Sequence, residues 1–233
     1  MFEHVQFYGM PFLNPTYIIA LLIAISIHEW AHAITATTLG DPTPGNAGRL
    51  TVNPIAHLDL LGALLFLTVG FGWAKPVPIN PVYFRHYKRD LCLTAIAGPA
   101  SNLILAFLSL IVLRILGTHT GLSPWDLLQV GTSGPVVQVF FTQLFGALLF
   151  INLGLMAFNL LPLAPLDGSK VLEAFIPLRF SERYEEFMRI GMYVILGLFL
   201  AETFLHIPIL SLWIVTMMEW VLRGMEAVLG VFL

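Results

Sequence analysis

Apolar residues dominate five stretches of this chain, at about 15–39, 91–116, 136–161, 188–205 and 207–232. Each is close to the roughly 17–25 residues that a membrane-crossing helix needs. A sixth run, Leu58 to Ala74, is shorter and carries Gly62, Gly70 and Gly72. It leads into Trp73-Ala74-Lys75-Pro76-Val77-Pro78-Ile79-Asn80-Pro81, where the spacing of the prolines excludes helix and predicts an extended conformation. The last two long runs meet at His206-Ile207-Pro208, which predicts a tight hairpin. The pattern as a whole predicts an all-α polytopic membrane protein, with about five transmembrane helices plus a re-entrant or interfacial segment with short extended pieces. One integral membrane domain covers 1–233, with its core at about 15–175 and a C-terminal helical hairpin at about 188–232.

Composition supports this reading. The chain is 58% hydrophobic and 11% charged, whereas a soluble domain is about 25% charged. Its net charge of −3 offers nothing to a nucleic acid. Cys92 is the single cysteine, so neither an intrachain disulfide nor a thiolate metal cluster is possible, and any metal must be held by histidine and carboxylate. No cleavable signal peptide is expected, because the first apolar run has no basic flank before it. The sequence shows no internal repeat.

Basic residues orient the helices. Lys75, Arg85, Lys88 and Arg89 precede the 91–116 run, Lys170, Arg179, Arg183 and Arg189 follow the 136–161 run, and Gly117 to Pro135 has neither lysine nor arginine. The positive-inside rule places the two basic loops in the cytoplasm and 117–135 outside. If Leu58 to Ala74 crossed the membrane, the residues near 32 and 167 would approach from opposite faces. A re-entrant run brings both to the cytoplasmic side and leaves the N-terminus external.

Within the first apolar run lies His28-Glu29-Trp30-Ala31-His32. Histidines at i and i+4 share one helix face, so both imidazoles can bind one metal ion, and Glu29 between them can reach a water on that ion. Burying such groups in hydrocarbon is costly, by roughly 2.5–3.5 kcal/mol for a charge at mid-membrane, which marks the site as functional. A catalytic zinc takes three protein ligands and keeps a fourth position open. The candidate for the third is Asp167, in Asn159-Leu160-Leu161-Pro162-Leu163-Ala164-Pro165-Leu166-Asp167-Gly168, where two prolines break a membrane helix. Asp167 also suits a helix N-cap, and Asp59, Glu202 and Glu219 are the other acids near apolar runs.

HExxH in one membrane helix and Asn-x-x-Pro-x-x-x-x-Asp-Gly in a later one resemble the site-2 protease family of intramembrane zinc metalloproteases. Ala97-Gly98-Pro99-Ala100-Ser101-Asn102 is similar to that family's small-residue segment. The resemblance implies His28, His32 and Asp167 as ligands of one Zn2+ per chain and Glu29 as catalytic base. It implies Asn159 as the amide that hydrogen-bonds substrate or the oxyanion. Gly48 to Asp59, followed by Gly72 to Pro78, resembles the compact bacterial and archaeal branch that lacks PDZ and CBS domains. The implied activity is hydrolysis of peptide bonds in or near transmembrane segments of other membrane proteins, as in regulated intramembrane proteolysis. The implied setting is a prokaryotic cell membrane, with the active site towards the cytoplasm.

Other residues admit two readings. Lys75 to Pro81 offers an edge for strand addition to an unwound substrate, or anchors the re-entrant run with Trp73 in the headgroup belt. His57 and Asp59 orient a metal ligand, or cap the re-entrant segment. Intramembrane histidines and acids also suit a divalent-metal transporter or a non-catalytic metal-binding membrane protein. Against transport, the polar groups concentrate towards one side and no repeat is present.

Overall fold

A computed structural model describes residues 14–69, 72–117 and 135–232. The N-terminal segment and nearly all of the predicted external loop lie outside them. Among the described residues, three helices are long and apolar enough to cross a bilayer: α1 (Pro15–Thr38), a later pair α5 (Tyr87–Ile115) and α6 (Val136–Asn159). Helix α1 begins where its chemistry dictates. Asn14 accepts the Thr16 N–H at 3.0 Å, and Pro15 occupies the first turn, where its missing donor costs nothing. Its buried face is built from Ala20, Ala24, Ala31, Ala33 and Ala36, which lets α5 and α6 pack closely against it.

Between α1 and α5 the chain forms α2 (Thr43–Asn46), α3 (Pro54–His57) and α4 (Leu60–Val69). With 10 residues, α4 is about 15 Å long, half the thickness of a bilayer core. Asp59 caps it by accepting the Gly62 N–H at 2.8 Å. Leu58 and Ala74 form an antiparallel bridge, which is the β pairing present among the described residues. Lys75 N–H donates to His57 O at 2.8 Å, and buried Arg49 donates to the carbonyls of Ala56 and Lys75. Leu58 to Ala74 therefore returns to the point where it started. Its two ends lie side by side, which fits a re-entrant or interfacial run and not a crossing one.

Helix α7 (Asp167–Phe175) packs against α5, and α8 (Ser181–Arg189), α9 (Gly191–Leu205) and α10 (Ile209–Phe232) follow. The run predicted as one helix over 188–205 is divided: α8 and α9 meet at 45° and reach spanning length only as a pair. Alone, the 15 residues of α9 extend about 22 Å, short of a bilayer core. His206 ends α9 in the left-handed region, φ 54°, and Ile207 N–H turns back to Ala201 O, making the predicted hairpin into α10. Helix α10 joins α5 and α6 in the largest apolar core, around Leu113, Leu149, Leu153, Met218 and Leu222. Trp213 pins it there by donating to Ala157 O at 2.9 Å.

The adjacency of the two ends of this run is testable by sidedness. In a Cys92→Ser background, single cysteines at the exposed positions Ile55 and Val82 are expected to react with an impermeant thiol reagent from the same side of the membrane. Labelling from opposite sides contradicts the fold.

Candidate metal centre

His28 and His32 lie one turn apart on α1 with their rings edge-to-face, centroids 4.6 Å apart. Their Nε2 atoms approach to 3.0 Å. Asp167 Oδ2 sits 3.3 Å from His28 Nε2 and 3.1 Å from His32 Nε2. All three side chains are buried, and their candidate ligand atoms lie within 4.8 Å of one another.

Asp167 reaches this point because α6 ends abruptly. After Asn159, Pro162 and Pro165 prevent the helix from continuing, and the chain turns through 160–166 into α7. The turn is tight enough that a Cβ on Gly168 would run into the carbonyls of Leu160 and Leu161, so only glycine fits after the aspartate. The N-cap alternative does not describe Asp167. Leu166 occupies the cap position without a side-chain bond, and the Asp167 carboxylate is turned towards the histidines.

The surroundings fit a bound cation. His32 Nδ1 lies 2.7 Å from Thr94 O, and a carbonyl can only accept, so Nδ1 carries the proton and the neutral ring leaves a lone pair on Nε2. His28 Nδ1 lies 2.6 Å from Asn102 Oδ1. Electron-rich atoms of two imidazoles and one carboxylate thus face each other out of water, an arrangement that needs positive charge at its centre. Two nitrogens and one oxygen are a donor set that suits zinc. Space for it depends on Gly98 of α5: a Cβ there would fall 2.6 Å from the Cε1 atoms of both rings.

Glu29, half-buried on the same helix, accepts the Val77 N–H through Oε2 at 3.1 Å. The proline-rich extended segment therefore reaches Glu29 directly, while its far end is held by Asn80 N–H donating to Asp41 at 2.7 Å. Asn159 is not drawn into the cluster; its Nδ2 donates to Leu155 O at 3.0 Å. His57 and Asp59 bond to Thr51 O and to the start of α4, and neither is bonded to the cluster. Sequence reasoning passed over Asn152 and gave Asn102 no role, yet the two are joined, Asn102 Nδ2 donating to Asn152 Oδ1 at 2.7 Å. An asparagine in an apolar helix is a visible signal. The contributions of Thr94 O and Val77 N–H are backbone atoms and carry none.

A helical membrane fold enclosing a His–His–Asp cluster beside a glutamate has the features of a membrane-embedded metallohydrolase. Comparison with known proteins agrees. The profile of peptidase family M50 matches residues 85–201, a range that holds Asp167 and Asn159 but not the HEWAH segment. YwhC of Bacillus subtilis, named as a zinc metalloprotease, is 39% identical over 187 residues, covering 80% of this chain and 81% of the relative. Rip2 of Mycolicibacterium smegmatis, also named so, is 32% identical over 65% of this chain and 54% of its own length. Rip2 of Mycobacterium tuberculosis is 29% identical over 78% of this chain and 65% of its own length. No solved structure matches the chain. The chain belongs to peptidase family M50, the site-2 proteases, and is a zinc-dependent metalloprotease of the membrane.

Gly98 offers a sharp test of the centre. Gly98→Ala raises helix propensity by about 1 kcal/mol and would ordinarily stabilise α5. Here it is expected to lower zinc content after dialysis at least tenfold while helicity is kept; undiminished zinc in that variant contradicts the packing described.

Proposed function

We propose that this protein is an intramembrane endopeptidase that cuts peptide bonds in or near transmembrane segments of other membrane proteins. The observation that carries this reading is the buried His28–His32–Asp167 cluster between apolar helices, with Glu29 alongside it. His28 Nε2, His32 Nε2 and an Asp167 carboxylate oxygen would hold the zinc. Bound there, zinc supplies a Lewis acid that lowers the pKa of water from 15.7 to about 7 and polarises the scissile carbonyl. Glu29 takes a proton from the attacking water as its oxygen bonds to the carbonyl carbon. When the C–N bond breaks, Glu29 returns that proton to the departing amine. Asn159 supplies an amide to the substrate backbone or the developing oxyanion, for which its side chain must leave Leu155 O.

A substrate helix hides its peptide bonds in its own hydrogen-bond ladder and must unwind before it reacts. The extended segment beside Glu29 is the place where an unwound strand meets the protein. Its donors at Lys75, Val77 and Asn80 are spent inwards, so a substrate strand would pair with its carbonyls and remaining amides. The basic loops support a cytoplasmic position for this face, and the bacterial relatives support a prokaryotic membrane, in which cleavage would release a cytosolic fragment in regulated proteolysis.

The test is cleavage of a model transmembrane peptide by purified protein in lipid nanodiscs. Glu29→Gln is expected to keep its zinc and to lose about 10²–10⁴-fold in turnover. Proteolysis intact in that variant removes Glu29 as the base. Zinc held without cleavage, together with metal uptake into vesicles, would replace the protease reading with transport.

A further inference from the structure

Asn102 on α5 and Asn152 on α6 are both fully buried, out of reach of water. Their amides form a directed chain. Asn152 Nδ2 donates to Leu148 O at 2.8 Å, and because a main-chain carbonyl cannot donate, the Asn152 amide has one permitted orientation. Its Oδ1 therefore faces Asn102 and accepts Asn102 Nδ2 at 2.7 Å. That bond in turn fixes the Asn102 amide and aims its Oδ1 at His28 Nδ1, 2.6 Å away. An oxygen at that position demands a proton on Nδ1, so the Nε2 lone pair of His28 is left for the metal.

We propose that Asn152, which does not touch the metal cluster, is a positioning residue that sets the tautomer of His28 through Asn102. The instruction originates in the α6 backbone at Leu148, crosses α5, and arrives on α1. His32 takes its tautomer from a different source, the Thr94 carbonyl, and is independent of Asn152. The two histidines of the motif are thus oriented by separate elements. Any change that turns the Asn152 amide acts on one of them alone. The inference rests on His28 being a zinc ligand.

Two variants separate positioning from packing. Asn152→Leu keeps the volume and removes both relay bonds. Asn152→Asp keeps an acceptor for Asn102 whether or not its carboxyl is protonated. The readouts are zinc affinity, by competition with a chromophoric chelator, and the tautomers of 15N-labelled histidines in metal-free protein. The His28 signal is identified by its loss in His28→Ala. Asn152→Leu is expected to weaken zinc binding about 10–100-fold and to move His28, but not His32, out of the Nδ1–H form. Asn152→Asp is expected to retain both the affinity, within about threefold, and the His28 tautomer. The proposal is overturned if Asn152→Leu leaves His28 and zinc affinity as they were, or if Asn152→Asp loses as much as Asn152→Leu. His28→Ala with unchanged zinc affinity would instead overturn the ligand assignment beneath it.

Discussion

Two imidazole nitrogens and a carboxylate oxygen, buried and about 3 Å apart, are unstable company without a cation among them. The rest of the structure can be understood as what is needed to hold them there. Small residues along α1 let α5 approach, Gly98 leaves a vacancy for the rings, and the double-proline turn after α6 swings Asp167 back under them. In a lipid environment apolar burial does little to join one helix to another, so close packing and polar links carry more of the arrangement. The Asn102–Asn152 bond and the Trp213 contact to α6 are links of this kind.

Glu29 is held differently from His28, His32 and Asp167. Its neighbours are not side chains of the bundle but a stretch of extended chain, threaded between Arg49 and His57 at one end and Asp41 at the other. Arg49 and Asp41 are both buried, and each spends its charge on backbone groups of that stretch or of the loop beside it. Charge-assisted bonds to main chain are worth roughly 1.5–3 kcal/mol each, more than a neutral contact. They give the re-entrant region rigidity that its short helices cannot supply. The site thus has a helical half bearing the His–His–Asp cluster and a clamped extended half facing Glu29.

Much of this was legible in the sequence, for a physical reason. Polar side chains are expensive in apolar runs, so HEWAH and Asp167 stand out against Tyr17 to Leu39 and Val136 to Leu161. The prolines at 162 and 165 announced the helix break, and those at 76, 78 and 81 the extended segment. The 45° bend at Ile190 was not legible, because it goes with Gly191 lying against the Ala164 backbone, a contact that exists only in the folded chain. The orientation of His32 by Thr94 was hidden for another reason. Its acceptor is a carbonyl, identical in every residue, and the contact exists only once α1 and α5 are packed. Asn102 and Asn152 were visible as polar residues in apolar surroundings, but their pairing across 50 positions depends on helix register that sequence pattern does not specify.

The most direct measurement is X-ray absorption at the zinc edge on the purified protein, with Asp167→Ala as comparison. The account predicts one zinc per chain with two imidazoles and a carboxylate oxygen in its ligand shell, and loss of that metal in the variant. A zinc shell with other than two imidazoles, or an unaltered spectrum in Asp167→Ala, would contradict it.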